Sequence, residues 1–116
     1  MFDNTHGVVN PKEVRKRIRH LRRELPHITF GVNFHDIRGI GMTNVFVALE
    51  EGIRIFNAAI GGIWAAPDMP NGSLDCPTED LVVMFEEMRI ITDIELKKLS
   101  SCIDLAEEIA GRKLRK

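Results

Sequence analysis

Segments patterned for helices alternate along this chain with segments patterned for strands, and that alternation limits the fold more than any other feature. Helix, strand, helix, strand, helix, helix, with helices of about 10 to 15 residues between the strands, is the order of βα units on a parallel sheet. The expected fold class is therefore α/β. The first helix is expected over 11–25, where Asn10-Pro11-Lys12-Glu13 combines a capping Asn, Pro at the first helical position and Glu at the third. Val14, Ile18, Leu21 and Leu25 trace its apolar stripe, and Pro26 ends it. Residues 28–35 change to a period of two. Ile28, Phe30, Val32 and Phe34 then form a dry face, and Thr29, Gly31, Asn33 and His35 a polar one.

A second helix over 42–51 carries Val45, Phe46 and Leu49 and is closed by Gly52. A second strand over 53–60 runs into Gly61-Gly62, and residues 61–77, with Pro67, Pro70, Gly72 and Pro77, read as a long irregular loop. Thr78, Glu79 and Asp80 open a helix over 78–90 with Leu81, Met84, Phe85 and Met88 on one face. Thr92 and Glu95 suggest a capping box for a last helix over 93–110 bearing Leu96, Leu99, Ile103, Ala106 and Ile109. Two strands, with a possible stub at 1–4, are few for any closed or open parallel sheet. The 116 residues are read as a single unit all the same.

Sixteen Lys and Arg stand against 17 Asp and Glu, a net charge of −1, so nothing global draws the chain to nucleic acid or an anionic membrane. No apolar run approaches the ~20 residues of a bilayer span. Residues 1–7 lack the pattern of a secretory or transit peptide, and a cytoplasmic address is expected. Cys76 and Cys102 form neither a disulfide framework nor a close metal pair, and both are expected to be small buried hydrophobes. The helix from Lys12 to Arg23 concentrates seven basic residues, which reads as a solvated helix face or as a contact for nucleic acid or an acidic partner. No aromatic residue interleaves with them to stack on bases.

Three motifs, Asn33-Phe34-His35-Asp36-Ile37-Arg38-Gly39, Gly61-Gly62-Ile63-Trp64-Ala65-Ala66-Pro67 and Thr78-Glu79-Asp80-Leu81, stand at separations that resemble the C-terminal part of the 3-hydroxy-3-methylglutaryl-coenzyme A lyase family. Asn4-Thr5-His6-Gly7 is similar to that family's Asp-Thr-Thr-Gly at the end of its sixth strand. The resemblance implies a TIM barrel with a divalent cation, Mg²⁺ or Mn²⁺, at its C-terminal mouth. It also implies carbon-carbon bond chemistry on acyl-CoA and oxo-acid substrates. The chain would then supply about two and a half of the eight βα units. A second copy, or a chain supplying the missing part of the barrel, would have to cover the strand edges so exposed.

Three metal ligands follow by resemblance. The family's His-x-His pair on the seventh strand matches Asn33 and His35, and alternate residues of a strand share a face, so both side chains can meet one ion. An Asn oxygen is a harder and weaker donor than an imidazole. The family's Asn in Gly-Asn-x-Ala-Thr-Glu-Asp matches Asp75, a competent ligand for a hard cation, although the residues alone favour an exposed loop carboxylate before a helix. Ala66 stands at the position of the family's catalytic Cys, so a methyl group replaces the proton donor and no catalytic residue is assigned. Asn57 and Asn4 replace two family Asp residues, and the substrate-binding residues are left unassigned. The expectation is a lyase-type portion that is incomplete or inactive alone. The alternatives are a non-catalytic oligomerising remnant and a contact through the basic helix.

Overall fold

A computed structural model describes residues 2–4, 9–64 and 73–114. The chain divides into two compact units, Met1–Asn57 and Ala58–Lys116.

In the first unit, strands β1 (Phe2–Asn4), β2 (Gly31–Phe34) and β3 (Ile55–Asn57) form a parallel sheet in the order β1-β2-β3, with helices α1 (Pro11–Glu24) and α2 (Gly41–Glu50) in the connections. Connections of this length are what parallel neighbours require. Helix α1 starts as its sequence demands: Asn10 Oδ1 accepts the backbone N–H of Glu13 at 2.9 Å, and Pro11 sits at the first helical position. Its stripe holds in part: Val14 and Ile18 are buried and Leu21 half-buried, whereas Leu25 is the residue after the helix and is 47% exposed. Strand β2 is shorter than the alternating pattern. Ile28 is 55% exposed and lies outside the ladder, because neither neighbouring strand pairs that far back. Nor is one face of β2 wet. Val32, Phe34 and His35 are all buried and Asn33 half-buried, as expected of a strand flanked on both sides in a parallel sheet. The strand expected over 53–60 pairs only over Ile55–Asn57.

The C-terminus of α2 explains part of the basic helix. Gly52 has φ +90°, its N–H reaches Leu49 O and that of Ile53 reaches Ala48 O, both at 3.0 Å, which is the paired reversal that ends a helix on a left-handed residue. Arg22 then donates to the carbonyl of Glu51 at 2.5 Å, while Arg15 and Arg19 hold the Glu51 carboxylate at 2.6 and 2.7 Å. Arg15 also reaches Glu50 at 2.9 Å. Cations here meet the negative end of the helix dipole as well as two side chains. Three of the seven basic residues of α1 are thus engaged at the end of α2, and Arg17 pairs with Glu13 at 3.6 Å. Hydrogen bonds from Arg19, joined by Arg15, hold the Glu51 carboxyl below its usual range of about 4.5 against the opposing effect of its partial burial. Because the folded value is lowered, the resulting stabilisation is complete above pH 4.5 and is lost as pH falls through the lowered value. Glu51→Gln is expected to cost about 1 kcal/mol at pH 7. In urea melts followed from pH 7 to pH 3, its deficit against the parent chain should shrink below pH 4.5.

In the second unit, a short turn over Ile60–Gly62 leads into β4 (Ile63–Trp64), which pairs antiparallel with β5 (Ser73–Leu74). The ends of the expected 61–77 loop are therefore paired, and Ala59 bridges Pro77 in parallel fashion. Helices α3 (Thr78–Glu87) and α4 (Leu96–Ala110) complete the unit, with Leu81, Val82, Phe85, Leu99 and Ile103 buried. Both helices are shorter than expected. Pro77, not Thr78, is the cap of α3, and Met88 lies beyond it, 41% exposed. Helix α4 begins at Leu96, not at 93, because Thr92 donates its hydroxyl to Glu86 Oε1 at 2.7 Å and Asp93 takes a φ of +61° that no helix admits. Ile109, expected on the apolar face, is 79% exposed. Cys76 is buried as expected, but Cys102 is exposed on α4.

Candidate functional site

Asn33 and His35 occupy alternate positions at the C-terminal end of β2, and so share a face. The register sets Asp3 of β1, Asn33 of β2 and Asn57 of β3 side by side, so three polar residues cross the sheet immediately before His35. His35 is only 1% exposed. A histidine buried so fully at a strand end is held in one place by what surrounds it.

Asp36 supplies part of that hold. Its carboxylate is buried and accepts the N–H of Gly41, the first residue of α2, at 2.8 Å. Its carbonyl accepts Gly39 N–H at 3.3 Å, and the turn from His35 to α2 is pinned at both ends. Negative charge at a helix N-terminus is itself favourable. No neighbouring residue in the sequence announces this bond, since its partner lies five positions on. Asp36→Ala leaves a helix-terminal donor without its acceptor and is expected to destabilise the chain by about 2 kcal/mol, read from a urea melt. Asp36→Asn, which keeps an acceptor oxygen, should lose less than half as much.

Asn44, within the apolar run of α2, is fully buried and donates from Nδ2 to the carbonyl of Val9 at 2.9 Å, tying α2 to the segment before α1. A polar residue amid Val45, Val47 and Ala48 was the available signal for such a tie.

In the second unit, Asp75 follows β5, is 4% exposed, and donates its backbone N–H to Gly62 O at 3.1 Å. It is a buried carboxylate and not an exposed loop residue. Gly61 and Gly62 both take left-handed φ values, +64° and +74°. The N–H of Gly61 is held by both carboxylate oxygens of Glu79, at 2.8 and 3.0 Å. Glu79, expected only as a helix-opening acid, thus reaches back 18 residues. Ala66 and Pro67 lie outside the described residues.

Within the first unit the donor types suit a divalent cation: the imidazole of His35 and the carboxamide oxygen of Asn33 share one strand face. Among the described residues, no group of three or more His, Cys, Asp or Glu side chains stands ready to hold a metal. The residues therefore fit a cation as part of a ligand set, not as a complete one. Among the described residues, no helix is long and apolar enough to cross a membrane.

Comparison with known proteins extends the geometry. The chain is 36% identical over 111 residues to a hydroxymethylglutaryl-CoA lyase of Bacillus subtilis, an alignment covering 96% of this chain and 37% of that protein. It is 33% identical to (R)-citramalyl-CoA lyase of Chloroflexus aurantiacus, over 96% of this chain and 35% of the relative. Among solved structures, the HMG-CoA lyase of Bacillus subtilis superposes with a TM-score of 0.90 at 35% identity, covering 98% of this chain and 38% of that one. An HMG-CoA lyase from Acinetobacter baumannii, in complex with coenzyme A and 3-methylmalate, gives a TM-score of 0.89 at 35% identity, over 98% and 37%. The α/β architecture is thus that of part of a lyase TIM barrel, and the chain spans a little over a third of the length of these relatives. A family profile described as HMGL-like matches residues 2–106, and the chain belongs to that family.

Proposed function

We propose that this chain supplies the last part of a divalent-metal-dependent acyl-CoA lyase site and is catalytically silent alone. The observation that carries this reading is His35, buried to 1% at the end of β2 and two residues beyond Asn33 on the same face. The match of residues 2–106 to a lyase family supports it. His35 and Asn33 would be the ligands from β2, with Asp75 as a further candidate, and Mg²⁺ or Mn²⁺ as the ion. Such a cation, when bound, polarises the oxygens of a 3-hydroxyacyl substrate for carbon-carbon cleavage. Asp36 orients the histidine by fixing the turn that follows it, and Ala66, at the position of the family's thiol, can donate no proton.

The remaining ligands and the base that takes the hydroxyl proton come from the rest of the barrel, in whichever polypeptide it resides. Neither Cys76 nor Cys102 is in a disulfide, which suits a reducing cytoplasm. Leu105 and Ile109, 57% and 79% exposed on α4, favour a second reading, a non-catalytic unit covered by another copy of itself. A cleavage assay with hydroxymethylglutaryl-CoA and Mn²⁺ tests the first. The purified chain alone should release no acetyl-CoA above buffer. Metal-dependent release by that chain would contradict the reading.

A further inference from the structure

One glycine in the second unit is gripped from two sides. Gly61 has a φ of +64°, a region that L side chains rarely adopt, and its N–H is fixed by the Glu79 carboxylate. On its other side lies Leu114. A methyl group added at Gly61 would stand 2.6 Å from Leu114 Cδ1 and 2.8 Å from its Cβ, so the leucine occupies the space that the missing side chain leaves. Leu114 is 7% exposed, although it comes after the last helix, in a stretch whose neighbours Arg112 and Lys113 are exposed.

The chain reaches Gly61 by a defined path. Helix α4 ends on Gly111, which is left-handed at φ +69° and donates to Glu107 O at 2.9 Å and Glu108 O at 3.3 Å. The chain then turns back along its own last turn. Glu107 holds it there, accepting Leu114 N–H at 3.2 Å on Oε1 and Lys113 Nζ at 3.2 Å on Oε2. The Glu107 side chain is itself only 10% exposed.

We propose that residues 111–114 form a latch on the glycine pair: Leu114, seated by Glu107, holds Gly61 in its left-handed conformation with its N–H directed at Glu79. Without the leucine, the glycine regains the backbone freedom that makes it the least costly residue at this position and also the least fixed. Glu79 alone restrains one N–H and leaves the opposite side of Gly61 open. Any consequence for chemistry rests on the lyase reading above, because Gly61 and Gly62 begin the motif matched to the family's catalytic segment. The latch does not rest on it.

Amide hydrogen exchange on the full chain tests the latch. Leu114→Ala should accelerate exchange at the Gly61 amide by about 10-fold or more and leave Leu99 and Ile103 in α4 at their parent rates. Equal acceleration at all three would make Leu114 an ordinary core residue, and no acceleration at Gly61 would mean that Glu79 suffices, so either result overturns the proposal. If Leu114→Ala does not fold, Glu107→Ala keeps the leucine but removes its anchor, and the same pattern is expected. A double-mutant cycle adds an independent readout. Gly61→Ala should perturb the unfolding equilibrium less in a Leu114→Gly background than in the parent chain, because the methyl group then meets neither the leucine Cβ nor its Cδ1 while the cost of the left-handed backbone is common to both, and strict additivity would contradict direct contact. Mn²⁺ binding should be unchanged by Leu114→Ala, so failure of the latch and failure of the metal reading are seen separately.

Discussion

Phe34→Ala is expected to cost about 3–5 kcal/mol, the largest stability loss of any change considered, and to shift the urea midpoint far below that of the parent chain. Phe34 is 1% exposed and sits between Asn33 and His35, on the opposite face of β2. It fills the interior on one side of the sheet while its two neighbours face the other. β2 pairs with β1 on one flank and β3 on the other, so a cavity here loosens the one strand that both ladders share. Small domains are stable by only about 5–15 kcal/mol in total, and a loss of this size would leave little margin. Phe34→Leu, which retains most of the buried volume, should lose roughly a third as much. A loss below about 1 kcal/mol for the Ala variant would show that the space can collapse, and that β2 is not the packed centre of its unit.

The sequence disclosed those parts of the fold that are written locally. Asn10, Pro11 and Glu13 set the start of α1, and Gly52 set the end of α2, because caps and helix reversals depend on residues a few positions apart. The parallel sheet followed from the order of the segments. Alternation overran the true strands: the pattern from Ile28 persists where no partner strand exists to pair with it, and pairing is a property of two segments. The start of α4 was misplaced for a related reason. Thr92 has the chemistry of a cap, but Glu86 takes its hydroxyl, and only the tertiary structure contains that competition.

The candidate site divides in the same way. Asn33, His35 and Asp75 were legible through a family resemblance, and the burial of His35 and Asp75 was not. Asp36, Glu79 and Leu114 carry contacts that reach 5, 18 and 7 residues along the chain. Nothing in their immediate neighbours encodes those partners. The basic face of α1 shows the reverse error. Its charge density read first as a solvated face, with an external acidic partner as the alternative, whereas Arg15, Arg19 and Arg22 are engaged at the end of α2.

The second large effect concerns metal. An imidazole is the only nitrogen donor in the proposed set, and a carboxamide is too weak a ligand to hold a divalent ion by itself. His35→Ala should therefore weaken Mn²⁺ binding by about 100-fold or more, beyond what loss of a supporting residue around a metal site typically causes. Asp36→Ala, which removes such a support, should weaken it by about 10-fold. Leu114→Ala, which removes none of the proposed ligands, should leave it unchanged.

Electron paramagnetic resonance of free Mn²⁺, titrated with the purified chain and with its His35→Ala and Asp75→Ala variants, tests the central claim most directly. The account predicts that the parent chain removes the free-ion signal and that both substitutions restore it. A parent chain that leaves the signal untouched, or binding that persists without His35, would contradict the claim that this part of the barrel retains its share of a metal site.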